Sequence, residues 1–244
     1  VNSTRLPNKV MRLINNVPMI ELLLKRLSNA KYIDHIVLAT PTDNRNLTLV
    51  DHVGELGYDV YQGSEDDVLD RYYQAAKLYM PDTIVRITAD CPLIDPQVVD
   101  SVITAFKKAD QVDYVCNVNP PTYPDGLDTE VFTYSSLETA WLKSRNEYDR
   151  EHVTSYIRET DSFNVLNVSH DKDYSSERWT VDEAEDFEVI KNIFTHFLPR
   201  IDFSWQEVLQ LRKSHPDFFS LNQHINRNEG ARLNTGQKLW KRAK

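Results

Sequence analysis

Apolar residues follow two alternating patterns along the first half of this chain. Ile20, Leu23, Leu24 and Leu27 keep the spacing of a helix face, and Pro18 stands where a first helical turn tolerates a missing N–H. The run "HIVLAT" at 35–40 is instead continuously β-branched and apolar, the pattern of a buried strand. A helix over 47–56 that stops at Gly57, a strand "YDVYQG" at 58–63, and a helix opened by a Ser64/Asp67 capping box come next. Val68, Tyr72, Ala75 and Tyr79 share one face of that helix. A strand "TIVRIT" at 83–88, a helix over 96–109 and a strand "DYVCNV" at 113–118 complete the series, and Asn15-Asn16 is a turn.

This alternation predicts an α/β fold with a mostly parallel central sheet flanked by helices. Ligands of such sheets bind beyond the carboxyl ends of the strands, so the loops after Thr40, Gln62, Thr88 and Val118 are the ones to inspect. From Asn119 the rhythm changes. The Pro- and Gly-bearing loop "NPPTYPDGLDTE" precedes a strand near Val131, helices over 137–144 and 151–159, and a strand near Val165. "RWTVD" at 178–182 reads as a late strand, and helices follow over 183–197 and 205–213. The pattern divides the chain into one body over 1–215, with halves of about 1–118 and 119–215, and a polar linker or start of a following domain over 216–244. The second half is α+β and smaller.

Composition narrows the class. A 244-residue chain with 41 % hydrophobic residues can bury a real core. No apolar run approaches a membrane span and no signal-peptide pattern opens the chain. Cys91 and Cys116 are the only cysteines, too few for a disulfide framework, so the cytoplasm is the expected location. A formal net charge of -9 argues against bulk nucleic-acid binding, but not against a nucleotide site served by a few local cations.

Those cations cluster at the start. "NSTRLPNKV" (2–10) brings Ser3, Thr4, Arg5 and Lys9 onto a short arc, as a polyphosphate requires; the same residues also suit a solvated terminus. In "RITADCP" (86–92), Asp90 follows a strand at the ligand-binding end, where a carboxylate can hold Mg2+; it could equally cap a turn before Pro92. Asp182 in "RWTVDEAED" offers a second carboxylate at a strand end, or a cap for the next helix. "YPDGLDTEVF" (123–132) carries three carboxylates on a Gly-bearing loop, suited to sugar hydroxyls and also ordinary for a turn. "DREHVTSYI" (149–157) sets Arg150, Glu151 and His152 together.

The ordered set "STRLPNK", "PMIE", "ATP", "GSEDDVLDRYYQAAK", "VRITADCPLIDP", "YPDGLDTEVF", "REHVT" and "RWTVDEAEDF" closely resembles the cytidylyltransferase-like family, which includes the spore-coat polysaccharide enzymes and is related to CMP-Kdo synthetase. The resemblance spans roughly residues 2–195. It implies the nucleotide-diphospho-sugar transferase fold, Rossmann-like, acting on CTP, Mg2+ and an acidic sugar or sugar phosphate. By this resemblance 1–118 is the nucleotide half and 119–215 the acceptor half. Ser3, Arg5 and Lys9 correspond to the triphosphate loop, and Asp90 and Asp182 to the magnesium pair. Thr40 and Arg71 fall on the base side. Tyr123, Asp125, Gly126, Asp128, Glu130, Arg150, His152 and Arg178 fall in acceptor-side motifs. The family normally opens with an apolar strand running into a Gln-Ala-Arg segment, so the first strand is expected to be missing from this chain and nucleotide binding to be weaker. Asn8 stands where the family has a glycine before the lysine; asparagine also reaches the left-handed backbone.

"LNTGQKLWKRAK" (233–244) resembles the opening of class III, glutamate-1-semialdehyde-type aminotransferases, which implies a fused PLP enzyme downstream; it also reads as a plain basic tail. The family adds a homodimer as the expected assembly. The expected reaction is attack of an acceptor oxygen on the α-phosphorus of CTP, with Arg5, Lys9, Asp90 and Asp182 as the catalytic set and pyrophosphate leaving. Two alternatives stand beside it. One is a glycosyltransferase on the same fold with Asp125 and Asp128 as its metal pair. The other is a catalytically silent nucleotide-binding module of a larger PLP enzyme.

Overall fold

The computed structural model describes residues 5–227, so Ser3, Thr4 and the aminotransferase-like stretch 233–244 lie outside the described residues. Strands β1 (Leu13–Ile14) and β2 (Val17–Pro18) form a hairpin whose two turn residues, Asn15 and Asn16, sit at φ 48° and 67°. Asparagine tolerates that left-handed pair, which is why Asn-Asn turns the chain here. Helix α1 (Met19–Leu27) follows. Then β3 (Val37–Pro41), α2 (Leu47–Glu55), β4 (Asp59–Gly63), α3 (Val68–Tyr79), β5 (Thr83–Arg86), α4 (Pro96–Lys108) and β6 (Tyr114–Cys116) alternate as the pattern predicts. The second half holds β7 (Glu130–Thr133), α5 (Tyr134–Lys143), α6 (Glu147–His152), α7 (Ser155–Glu159), β8 (Val165–Asn167), α8 (Ala184–Phe197), α9 (Trp205–Ser214) and α10 (Pro216–Ser220).

Strands β3 and β4 pair in parallel. The larger sheet runs β5-β7-β6-β8, with β7 antiparallel to both neighbours and β6 parallel to β8. The sheet is therefore more mixed than the alternating pattern predicts. A parallel neighbour needs a crossover helix, and none lies between β6 and β7; the loop over 117–129 simply turns the chain back between β5 and β6.

Three further expectations change. Residues 178–182 form no strand beyond a single bridge between Asp125 and Arg178. Their backbone groups are shared between two loops: Trp179 N donates to Asp125 O at 2.6 Å and Val181 N to Asp90 O at 2.8 Å. The helix expected over 151–159 breaks at Val153, which sits at φ 64°, ψ −59° with Thr154 N bonded to His152 O at 2.6 Å. That is a γ-turn, and it separates α6 from α7. On α3 Ala75 is buried as expected, but the deepest face is Leu69, Tyr73 and Ala76, with Val68 and Tyr72 only partly buried; Tyr73 stacks on Trp141 with ring centroids 4.1 Å apart.

Two apolar cores result. The larger joins α1, α4, α8 and α9 through residues such as Met19, Ile20, Val99, Ile190, Phe194 and Trp205; the smaller packs Leu69, Tyr73, Tyr114, Phe132, Leu137 and Ile157. The segment after Pro216, expected to be a polar linker, continues the larger core: Phe219 is buried within it and Asn222 is buried beside it.

Arg26 is the polar rivet of the larger core. It is 1 % exposed and donates to the carbonyls of Ile94 at 3.0 Å, Leu93 at 3.3 Å, Phe203 at 3.0 Å and Ile201, while its guanidinium lies 4.4 Å over the Phe203 ring. These carbonyls belong to the loops before α4 and α9, so one side chain ties both to α1. Arg26→Leu leaves several buried acceptors without donors and is expected to lower stability by about 3 kcal/mol, measured by urea unfolding.

Candidate active site

Lys9 enters the site from a short 3-10 turn, Lys9–Met11, that follows Asn8 at φ 54°. Its Nζ donates to Asp90 Oδ2, Asp182 Oδ1 and the carbonyl of Val181, each at 2.9 Å. The two carboxylates therefore lie within twice that distance of each other, although 92 positions (182 − 90) separate them in sequence. Neither aspartate is spent on capping. Asp95 caps α4 by accepting from Gln97 N, and Glu183 with Asp186 forms the capping box of α8. Asp90 and Asp182 are each about a quarter exposed, so solvent and small ligands can reach them. Arg5 adds a second cation, with Nη1 2.7 Å from Glu183 and Nη2 3.4 Å from Asp182.

Burial works to raise the Asp90 pKa, but the Lys9 ammonium and the Thr88 hydroxyl outweigh it and hold the carboxyl below its ordinary value. Burial also works against the Lys9 charge, and Asp90 and Asp182 overcome it, so Lys9 stays protonated beyond its ordinary range. The geometry is a cation held between two carboxylates.

Arg178 joins this centre to the 123–128 loop. Its guanidinium grips Asp186 with Nε and Nη2, both at 2.8 Å, and reaches Asp125 at 3.3 Å and Asp182 at 3.5 Å. Gly126 explains how the loop can lie so close. It sits at φ 112°, and a Cβ there would stand 2.7 Å from the Trp179 carbonyl carbon. Tyr123 packs edge-on against His170 and Trp205. Arg227 closes the loop from outside: Nη2 meets Asp128 Oδ1 at 2.6 Å, Nη1 donates to Tyr123 O at 3.3 Å, and Nε lies 3.8 Å from Asp125. Asp125 and Asp128, the metal pair of the glycosyltransferase alternative, are thus engaged by Arg178 and Arg227.

The structure brings together Arg5, Lys9, Asp90, Asp125, Asp128, Asp182 and Arg178. Four other expected residues make their contacts outside this cluster. Arg150 binds Asp67 and the Trp141 carbonyl, tying α6 to α3 and α5. His152 packs on Tyr148, and burial, with Arg86 and Arg158, lowers its pKa. Thr40 is buried on β3 opposite Gln62. Arg71 is buried with its guanidinium on the Ser64 carbonyl. Glu130 corrects the acceptor-side expectation most plainly: 5 % exposed, it is enclosed by Arg86, Arg158, Tyr114 and Thr154, leaving no oxygen for a substrate. Sequence reasoning missed Glu183, Asp186 and Arg227. The Glu183/Asp186 spacing is a capping signal that was open to view; Arg227 has no local pattern around it.

Comparisons with known proteins show the family. The family profile described as Cytidylyltransferase matches residues 1–215. The chain is 29 % identical over 226 residues to the spore coat polysaccharide biosynthesis protein SpsF of Bacillus subtilis, covering 89 % of this chain and 92 % of that protein. The solved structure of a cytidylyltransferase from Leptospira borgpetersenii superposes with a TM-score of 0.85 at 32 % identity, over 89 % of this chain and 92 % of that one. CMP:2-keto-3-deoxy-manno-octonic acid synthetase complexed with CTP superposes with a TM-score of 0.61 at 15 % identity, over 81 % and 95 %, a likeness of fold. No helix among the described residues is long and apolar enough to cross a membrane.

Glu130 sets the acid limit of this architecture. Burial alone would raise its pKa, yet Arg86, Arg158 and the Thr154 and Tyr114 hydroxyls hold it at about 2, below the ordinary 4.5. A depressed carboxylate contributes stability that is complete above its unfolded pKa and is lost as pH falls through the folded one. Thermal unfolding scans are expected to show a loss of about 3 kcal/mol between pH 4.5 and 2, and Glu130→Gln should destabilise at neutral pH by a similar amount.

Proposed function

The chain belongs to the cytidylyltransferase family, and from that premise we propose that it moves CMP from CTP to an acidic sugar or sugar phosphate, releases pyrophosphate, and serves surface polysaccharide or glycan precursor synthesis. The observation that carries this reading is the meeting of Asp90 and Asp182 on Lys9, with Arg5 alongside. The named relatives support the sugar class: one acts in spore coat polysaccharide biosynthesis, and one binds CTP as the synthetase of a CMP-activated sugar acid.

Charge supports a divalent cation. Around the cleft stand Asp90, Asp125, Asp128, Asp182, Glu183 and Asp186 against Arg5, Lys9, Arg178 and Arg227, a formal excess of two negative charges. A polyanion placed beside these carboxylates is helped by an added cation. The donor set fits Mg2+: hard carboxylate oxygens on two partly exposed side chains, close enough for both to reach one ion. Asp90 and Asp182 would hold it, and when bound it neutralises and orients phosphate oxygens.

The chain's own residues do the rest. Lys9 and Arg5 offset charge that develops on the leaving pyrophosphate. Ser3, outside the described residues, would extend the same donor arc. Thr40 and Arg71 lie at the carboxyl-end side of β3 and β4 and would line the base side. The 123–128 loop, pinned by Arg178, presents the acceptor. An acceptor that already carries an ionised oxygen needs no strong base, so positioning and electrostatics suffice for in-line displacement. Arg5, Lys9, Asp90 and Asp182 gathered in one cleft also weigh against a silent binding module.

Pyrophosphate release, assayed with each nucleoside triphosphate and a panel of acidic sugars, is expected to be greatest with CTP. Asp90→Asn should cut turnover about a hundredfold, the scale of one strong electrostatic contact near 3 kcal/mol. Unchanged turnover in that variant would overturn the assignment.

A further inference from the structure

The family profile ends at residue 215, yet a residue beyond it reaches the 123–128 loop. The segment after α10 is pinned twice. Asn222, 4 % exposed, donates through Nδ2 to Arg178 O at 3.0 Å and to Asp186 Oδ1 at 2.9 Å. Ile225 N turns back on Asn222 O at 3.0 Å. Arg227 then lies across the 123–128 loop, on Asp128, Asp125 and the Tyr123 carbonyl. Both anchors act on the carboxylate network that frames the cleft, rather than on the apolar core.

Asp128 is the informative partner. Arg227 takes its Oδ1, while Oδ2 has no hydrogen-bond partner among the described residues, and a third of the side chain is exposed. Asp125, by contrast, is 9 % exposed and lies between two arginines. Asp128 lies within electrostatic range of Asp90, and Asp125 of Asp182, so the loop stands beside the proposed phosphate centre. Burial pushes both loop carboxyls upward, and Arg227 is the largest opposing influence on each.

We propose that Arg227 is a positioning residue for the acceptor: from outside the family-matched segment it clamps the 123–128 loop and fixes Asp128 so that its open oxygen receives hydrogen bonds from the hydroxyls of a polyhydroxylated acceptor. A guanidinium suits this work because its planar fork holds a carboxylate and a carbonyl in one fixed geometry. The acceptor class is a sugar acid or sugar phosphate with neighbouring hydroxyls, read at the loop by those hydroxyls rather than by its anionic group, which the carboxylate would repel. The inference rests on the cytidylyl-transfer reading of the same cleft.

The test uses the full chain and three probes, 3-deoxy-manno-octulosonate, N-acetylneuraminate and mannose 1-phosphate, titrated by ligand-observed NMR. CTP affinity and melting temperature are measured on the same samples. Arg227→Met should weaken the tightest-binding probe about tenfold and lower the melting temperature, and Arg227→Lys should recover part of both, with CTP affinity unchanged in both variants while folded. Unchanged probe affinity in Arg227→Met overturns the proposal. So does failure of all three probes to bind the unaltered chain, or a loss that Lys does not recover and that CTP affinity shares, since that is the mark of a structural role. Failure of CTP to bind counts against cytidylyl transfer, while the probe comparison still decides the clamp.

Discussion

One ammonium group organises this molecule. Lys9 is drawn into partial burial from the very start of the described chain, and that is tolerable only because two carboxylates and a carbonyl meet it at 2.9 Å. The demand runs in both directions. Asp90 and Asp182 come from loops on different elements, and their like charges would repel without the cation between them. The 3-10 turn at Lys9, the left-handed Asn8 before it, the loop after β5 and the approach to α8 are all arranged around this contact. Carboxylates and cations from distant parts of the chain are thus brought into one charged cluster.

A second tier of contacts keeps the 123–128 loop against this centre. Gly126 permits backbone approach to Trp179, and the bridge between Asp125 and Arg178 fixes the register of that approach. Arg178 spends its strongest hydrogen bonds on Asp186, which also closes the α8 capping box by accepting from Asp182 N and Glu183 N at 3.0 Å. One buried aspartate thus starts a helix, orients an arginine and places the backbone beside Asp182. Linkage of this kind means that the loop, α8 and the Lys9 contact form one electrostatic unit.

Much of this was readable in the chain itself. The β-α alternation through β6, the Asn15-Asn16 turn and the position of Asp90 in the loop after β5 follow from local spacing and from residues that tolerate special backbone, whereas Asp182, expected at a strand end, lies in the loop before α8. What stayed hidden depends on partners far away in sequence. The direction of β7 is set by how a loop returns, and no periodicity records that. Residues 178–182 have strand composition, but two different loops take their hydrogen bonds. Val153 breaks a helical pattern by tertiary packing, being fully buried in a γ-turn. Glu130 belongs to an acceptor-side motif, yet a cluster of Arg86 and Arg158 encloses it, and Arg227 sits in a polar stretch whose partner Asp128 is 99 positions away.

The central claim is that Asp90 and Asp182 share one divalent ion beside the phosphates of a nucleotide. Crystals grown with CTP and Mn2+, measured at the manganese absorption edge, test it most directly. A single anomalous peak is expected within about 2.5 Å of a carboxylate oxygen from each aspartate, with triphosphate oxygens next to Lys9. A peak held by other residues, or a nucleotide whose phosphates lie away from Lys9, would contradict it.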